Sequence, residues 1–195
     1  MSLKDPSITY PGLPLGGDIR FATLDALIHF DIKLTGPNDN QNEIVASPHQ
    51  ISGDGLLWKD GVVNSPVKVI GSKAEMRFQP ELPPFYVLGK HTLICLTYFL
   101  KAIYKVQDLG IQPLYYLELV CVPNGLMLFD RPNYNQTKGL FIPGKDIQNH
   151  RKKRTRVRLD PLATLAGWRC IKLEQIGAEW HSIPRSKFNQ LHLSP

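Results

Sequence analysis

The stretch His91-Thr92-Leu93-Ile94-Cys95-Leu96-Thr97-Tyr98-Phe99-Leu100-Lys101-Ala102-Ile103-Tyr104, continuing to Leu109, decides how the rest of the chain is arranged. Leu93, Leu96, Leu100, Ile103 and Val106 recur at helical spacing, Ile94 and Phe99 widen the stripe, and Gly110 is placed to end it. That spacing predicts one long helix over about residues 91 to 109. Upstream the period is two: Ile28, Phe30, Ile32 and Leu34 alternate with Leu27, His29, Asp31 and Lys33, the signature of a half-buried strand. From Ile44 to Gln79 short apolar runs are parted by Ser-Gly-Asp-Gly, Lys-Asp-Gly and Gly-Ser, which reads as antiparallel hairpins with Asp60-Gly61 as the clearest turn. Downstream, Leu114 to Val122 reads as a strand, and Pro123-Asn124-Gly125 predicts a hairpin turn into Leu126 to Phe129. Gly139 to Ile142 is a candidate short strand. Asp160-Pro161 starts a short helix closed by Gly167, and a last strand pair turns at Gly177. Strands around one helix, without strand-helix repetition, predict an α+β class. The expected unit is a single domain over residues 19–195, mostly antiparallel β-sheet packed with one long helix and one or two short helices. Residues 1–18, rich in proline and glycine, read as a flexible N-terminal arm.

Composition is that of an ordinary globular chain, 43% hydrophobic and 21% charged. Cys95, Cys121 and Cys170 sit in apolar runs without metal-ligand spacing, which argues against a disulfide framework or zinc ribbon and for a reducing compartment. No segment reads as a signal peptide or membrane span, so a cytosolic product is expected. Asn135-Gln136-Thr137 then reads as a surface loop, not a glycosylation site.

The charge is not spread evenly. Arg151, Lys152, Lys153, Arg154, Arg156 and Arg158 hold six positive charges in one short run, equal to the whole formal net charge of +6. Such a run fits phosphate, either on anionic lipid or on nucleic acid, and it also has the composition of a nuclear-import signal. Arg154, Arg156 and Arg158 would face one side of an extended segment while Thr155, Val157 and Leu159 anchor the other. Two proline motifs have the form of short linear signals of the late-domain kind: Tyr10-Pro11-Gly12-Leu13 in the arm, and Pro83-Pro84-Phe85-Tyr86 before the expected helix. The second also reads as a buried turn into that helix. Catalysis finds no motif, because the histidines are dispersed and no nucleophile or metal string occurs. Asp25, Asp31 and Glu75 are the carboxylates a nuclease would draw on.

The run Leu162 to Phe188 resembles the closing unit of rhabdovirus matrix proteins, through Gly167, Gly177-Ala178, Trp180 and Ser186-x-Phe188. The resemblance covers about 27 of the 195 residues. It implies a viral matrix protein of a negative-strand RNA virus: non-enzymatic, without catalytic, metal or cofactor residues, self-assembling, and bridging anionic membrane to the nucleocapsid in virion assembly and budding. The implied partners are an anionic phospholipid membrane, viral nucleocapsid or RNA, further copies of the chain, and host budding adaptors. The implied locations are the virion, the host cytoplasm and the inner face of host membranes, with the nucleus as a further site. Arg151, Lys152, Lys153, Arg154, Arg156 and Arg158 would take the phosphate contacts, and Tyr10, Leu13 and Leu15 the self-association. The alternative expectation is a basic nucleic-acid-binding protein without membrane activity, and a metal-dependent nuclease is the third.

Overall fold

In the computed structural model the described residues are 19–55, 57–58, 62–63, 66–73, 75–108, 110–129, 139–144 and 154–187. In chain order the strands are β1 (Ile19–Ala22), β2 (Ala26–Thr35), β3 (Glu43–Ala46), β4 (Leu57–Trp58), β5 (Val62–Val63), β6 (Val67–Ile70), β7 (Glu75–Phe78), β8 (Phe85–Leu88), β9 (His91–Tyr104), β10 (Leu114–Val122), β11 (Phe141–Pro143), β12 (Thr155–Arg158), β13 (Cys170–Ile176) and β14 (Glu179–Pro184). Two α-helices, α1 (Gly125–Phe129) and α2 (Leu159–Leu165), are described with them.

The long helix expected at residues 91–109 is absent, and with it the α+β arrangement built around that helix: His91–Tyr104 is the fourteen-residue strand β9. Ten of the fourteen positions are apolar and they fall on both faces, so the helical spacing of Leu93, Leu96, Leu100 and Ile103 is met without selecting a helix. What distinguishes the segment is its share of β-branched and aromatic residues, Thr92, Ile94, Thr97, Tyr98, Phe99, Ile103 and Tyr104, which fit a pleated surface. The buried face and the half-buried face of this central strand both take apolar residues, which leaves a nearly continuous apolar run. Gly110 does not cap a helix. It takes φ 87° in the turn that leads from β9 back into antiparallel β10, beside the Asp108–Ile111 bridge.

β9 lies at the middle of the main sheet, in the order β1-β2-β9-β10-β13-β14, with β8 also pairing with the start of β9. β2 and β9 run parallel, Ala26 opposite Ile94 through Thr35 opposite Ile103; the other pairings are antiparallel. A parallel pair needs a crossover, and here it carries β3, the small hairpins β4–β5 and β6–β7, and β8. A second antiparallel sheet, β11-β12-β3, packs over one face of the main sheet. Ile44, Phe99, Val120, Val157, Leu159 and Leu162 meet in that core, each at most 2% exposed, and burying each such side chain contributes about 1.5–3 kcal/mol. The hairpin expected at Pro123-Asn124-Gly125 is replaced by α1, because the Asn124 Oδ1 accepts the Leu126 N–H at 3.0 Å and starts a helical turn. Gly125 is required there: a Cβ would lie 2.0 Å from the Gly53 carbonyl oxygen.

β2 is turned the opposite way from an ordinary half-buried strand. Leu27, His29, Asp31 and Thr35 are buried, while Ile32 is 46% and Leu34 76% exposed. His29, Asp31 and Thr35, polar groups that an isolated strand would turn to water, are therefore buried.

Candidate active site on strand β2

Asp31 and Lys33 are two residues apart on a strand, so their side chains leave the same face of the sheet. Asp31 is 5% exposed, and its Oδ2 lies 2.6 Å from the Lys33 Nζ. The contact is close in distance, but Oδ2 has no hydrogen bond of proper angle among the described residues. The Lys33 ammonium donates to the Gln50 Oε1 at 3.3 Å and sits 5.4 Å from the centroid of the Phe99 ring. Gln50 closes the short 3-10 turn Pro48–Gln50; its Oε1 also accepts the Ser47 N–H at 2.9 Å, and its carbonyl accepts the Thr97 hydroxyl at 2.7 Å. A carboxylate and an ammonium are thereby fixed from three elements, β2, β9 and the turn after β3.

Lys33 opens into a cavity of ≈ 290 Å³ whose other charged walls are Asp39, Glu43 and Arg156. Arg156 comes from β12 of the second sheet, where Thr155 and Val157 are buried and Arg156 and Arg158 half-buried. Its Nη1 lies 2.7 Å from the Glu43 Oε2, and its Nε donates to the Pro143 carbonyl at 3.0 Å. The loop from Gly36 to Asn42 forms the near wall, with Asp39 Oδ2 accepting the Gly36 N–H at 2.9 Å.

That loop is tied to a buried charge network across the sheet. Lys33 is in register with Lys101 on β9, Lys101 with Glu118 on β10, and Glu118 with Lys172 on β13. Lys101 and Glu118 are 0% exposed. The Arg185 Nη1 meets the Glu118 Oε1 at 2.6 Å, its Nε the Asp160 Oδ1 at 2.8 Å, and its Nη2 donates to the Asn42 Oδ1 at 3.1 Å. The Lys101 ammonium donates to the Gln41 carbonyl, and the Tyr116 hydroxyl to the Gln41 Oε1 at 3.3 Å. Burial pushes the Lys101 and Lys172 ammonium groups down to about 8, against the pull of Glu118.

The residues picked from sequence fare unevenly. Asp25 is exposed in the β1–β2 turn, and Glu75 is exposed on β7 with Lys68 2.8 Å away, so neither approaches Asp31. Arg154 is exposed, Arg156 lines the cavity, and the Arg158 Nη1 donates to the Gly139 carbonyl at 3.3 Å. Arg151, Lys152 and Lys153 lie outside the described residues, as do Tyr10, Pro11, Leu13 and Leu15. Pro83 and Pro84 are buried and Tyr86 is half-buried, so this proline motif is not displayed as a ligand. Sequence reasoning missed Lys33, Gln50, Asp39 and Glu43. The Asp-x-Lys spacing on an alternating strand was the available signal for the first of these. The others depend on the crossover. Among the described residues no group of three His, Cys, Asp or Glu side chains is placed to hold a metal ion.

Comparison with known proteins shows the family and the fold. The family model for restriction endonuclease BglI matches residues 3–173. The type II restriction enzyme BglI of Bacillus subtilis is 34% identical over 181 residues, spanning 80% of this chain and 60% of that enzyme. The crystal structure of restriction endonuclease BglI bound to its DNA recognition sequence has a TM-score of 0.76 at 33% identity, covering 84% of this chain and 63% of that one. Tetrameric restriction endonuclease SfiI bound to cognate DNA has a TM-score of 0.60 at 15% identity over 79% of this chain and 55% of its own, a likeness of fold alone. This chain thus spans about three fifths of the length of the relatives it matches.

These matches overturn the matrix-protein reading. The similarity at Gly167, Gly177-Ala178, Trp180 and Ser186-x-Phe188 reflects only a short helix followed by a hairpin, a unit common to many folds. The expected roles in virion assembly and budding fall with it. So do the membrane, nucleocapsid, RNA and budding-adaptor partners, and the virion and host-membrane locations. The expectation of a non-enzymatic protein, in both the matrix and the nucleic-acid-binding versions, is likewise corrected, since the matched relatives are enzymes.

Proposed function

This chain belongs to the BglI restriction endonuclease family, and on that premise we propose that it is the catalytic part of a DNA endonuclease whose phosphodiester hydrolysis is centred on Asp31 and Lys33. The observation that carries the reading is the Asp31–Lys33 pair on one strand face, whose Lys33 lines a cavity that also holds Arg156 of the basic run.

Hydrolysis of a phosphodiester adds water to phosphorus, breaks a P–O bond and builds negative charge on the phosphoryl oxygens. A fixed ammonium in a partly dehydrated wall stabilises that charge without reorganising. Lys33, held by Asp31, Gln50 and the Phe99 ring, supplies one. Nuclease chemistry of this kind implies a divalent cation. Magnesium takes one or two carboxylates and fills its other positions with water and phosphate oxygen, and the buried Asp31 carboxylate, ion-paired through Oδ2 with Lys33, fits that donor set. Asp18, the residue before β1 in sequence and outside the described residues, is the second carboxylate to test. Such an ion would lower the pKa of its bound water and polarise the phosphoryl group.

The basic run takes the DNA backbone. Arg151, Lys152, Lys153, Arg154 and Arg158 neutralise phosphates and release counterions, giving affinity without sequence preference. Discrimination belongs to the cavity: Asp39 and Glu43 accept hydrogen bonds, Arg156 and Asn40 donate them, and both senses are needed to read base edges. The test is cleavage of mixed-sequence plasmid DNA with magnesium. Asp31→Asn and Lys33→Ala should each lose at least about 100-fold in rate, the scale of deleting one preorganised charge-stabilising group. DNA left intact by the chain, or variants that cut as the wild type does, would refute the assignment.

A further inference from the structure

The β6–β7 hairpin carries charge that the site around Asp31 does not use. Its register sets Lys68 directly opposite Arg77, and Ile70 opposite Glu75. Two cations facing each other across a pair of strands destabilise it unless an anion lies beside them. Glu75 supplies part of that compensation, with its Oε2 2.8 Å from the Lys68 Nζ, while among the described residues no acidic side chain is paired with Arg77. Lys73, exposed in the connecting turn, adds a third cation, so residues 67–78 carry three basic groups against one acid. The hairpin is anchored firmly. Val69, Met76 and Phe78 are at most 3% exposed and enter the same core as Ile44, Phe141 and Val157, and β6 packs beside β11. Side chains alternate along a strand, so Lys68 and Arg77 leave the side away from that core, as Arg156 and Arg158 do on β12. The hairpin thereby extends the outer side of the sheet β11-β12-β3, whose Glu43, Val45 and Arg156 line the cavity.

We propose that the β6–β7 hairpin is a second DNA contact, in which Lys68, Lys73 and Arg77 hold backbone phosphates that flank the duplex segment lying over the cavity. From β12 to β7 is three strand spacings, about 15 Å, which along duplex DNA is about four to five base pairs. A duplex seated at Arg156 and extended along the outer side of β12, β11 and β6 reaches the hairpin without bending. Its phosphates supply the anion that the Lys68–Arg77 rung lacks, and they take no part in sequence discrimination or in the reaction. The inference rests on DNA as the occupant of the cavity and not on the roles of Asp31 and Lys33.

The experiment measures binding of the 195-residue chain to a labelled mixed-sequence duplex of about 30 base pairs, without magnesium, by fluorescence anisotropy from about 50 to about 200 mM salt. Each phosphate contact contributes about 0.9 to the slope of log affinity against log salt. Lys68→Gln combined with Arg77→Gln should therefore lower that slope by about 1.8 and weaken binding about tenfold at about 50 mM salt, a gap that closes by about 200 mM. Glu75→Gln should act in the opposite sense and tighten binding at low salt, because it releases Lys68 from its carboxylate. Lys90→Gln combined with Lys105→Gln removes the same charge from the exposed residues at the two ends of β9, and should leave slope and affinity unchanged. All of these positions are exposed, so far-ultraviolet circular dichroism should match the wild type. A slope that the hairpin variant does not lower, or that the β9 variant lowers equally, overturns the proposal. So does Glu75→Gln binding that is weaker than wild type. Idle Asp31 and Lys33 would refute the proposed reaction and leave these binding curves untouched, whereas a wild-type chain that binds no DNA overturns both.

Discussion

Replacing Arg185 by Met tests the charge network that fixes the cavity wall. The Glu118 carboxylate is fully buried, and Arg185 meets its Oε1 at 2.6 Å while its Oε2 has no hydrogen-bond partner among the described residues. Arg185→Met therefore leaves a buried carboxylate without the guanidinium that pairs with it, and cuts the ties to Asp160 and Asn42. Removing one member of a buried pair costs about 3–5 kcal/mol. The lower end applies here, because Lys101 and Lys172 remain as cationic neighbours of Glu118. With a urea m-value of about 2–3 kcal/mol/M, the unfolding midpoint should fall by about 1–1.5 M at neutral pH, followed by tryptophan fluorescence. Adding Glu118→Gln to Arg185→Met should recover at least about 1 kcal/mol relative to the sum of the single changes, the coupling expected of contacting residues. Because Arg185 also positions Asn42 at the end of the cavity loop, the single variant should bind DNA more weakly than its residual stability accounts for. A midpoint shift below about 0.4 M, or strict additivity, would show that the network does not hold the loop.

Three further outcomes follow from burial and titration. Lys101 and Lys172, lowered by burial from 10.5 to about 8, are neutral in the folded chain and protonated in the unfolded one between those values. The unfolded state then binds more protons, so stability rises with pH from about 8. Cys95 and Cys170, raised from 9.0 to about 12, and Tyr98 and Tyr116, raised from 10.0 to about 12, have the opposite sign above pH 9 and 10. Tm should therefore climb between pH 7.5 and 9 and then level and fall, whereas a steady decline from pH 7.5 would contradict the lysine assignments. All three cysteines are buried and unpaired with one another, so an aromatic disulfide reagent should find no rapidly reacting thiol in the native protein and three after denaturation. Gly125→Ala forces a Cβ onto the Gly53 carbonyl, so loss of at least about 2 kcal/mol is expected from overpacking; a neutral effect in the same urea assay would mean that the Ser52–Gly53 backbone moves aside.

How much of this was legible can be traced residue by residue. The charge run at Arg151 to Arg158 was visible because charge is additive along a sequence, but its setting was not. Arg156 reaches the same cavity as Lys33 through pairing of β12 with β3, more than a hundred residues away in sequence. Asp31 was visible as one of three acids; Asp25 and Glu75 proved to be exposed turn and hairpin residues because nothing in spacing says which acid a crossover will bury. The error at His91–Tyr104 had a definite origin, since a run that is apolar on every face satisfies helical and strand periods alike, and only its β-branched and aromatic content leaned toward the strand.

The sequence by itself determined the local matters: the alternation of β2, the Asp-x-Lys spacing that puts a carboxylate and an ammonium on one side of a strand, the turn at Gly177 and the concentration of positive charge. Those depend on a residue and its near neighbours, and strand geometry alone enforces them. The tertiary structure decided which side of β2 is inside. Parallel pairing of β2 with β9 and the crossover between them bury Asp31 and leave Leu34 open, reversing what amphipathic alternation implies for an isolated strand. Burial is a property of what packs against a strand, and the crossover that brings Gln50 to Lys33, with the sheet β11-β12-β3 that brings Arg156 to the same cavity, joins segments far apart in sequence.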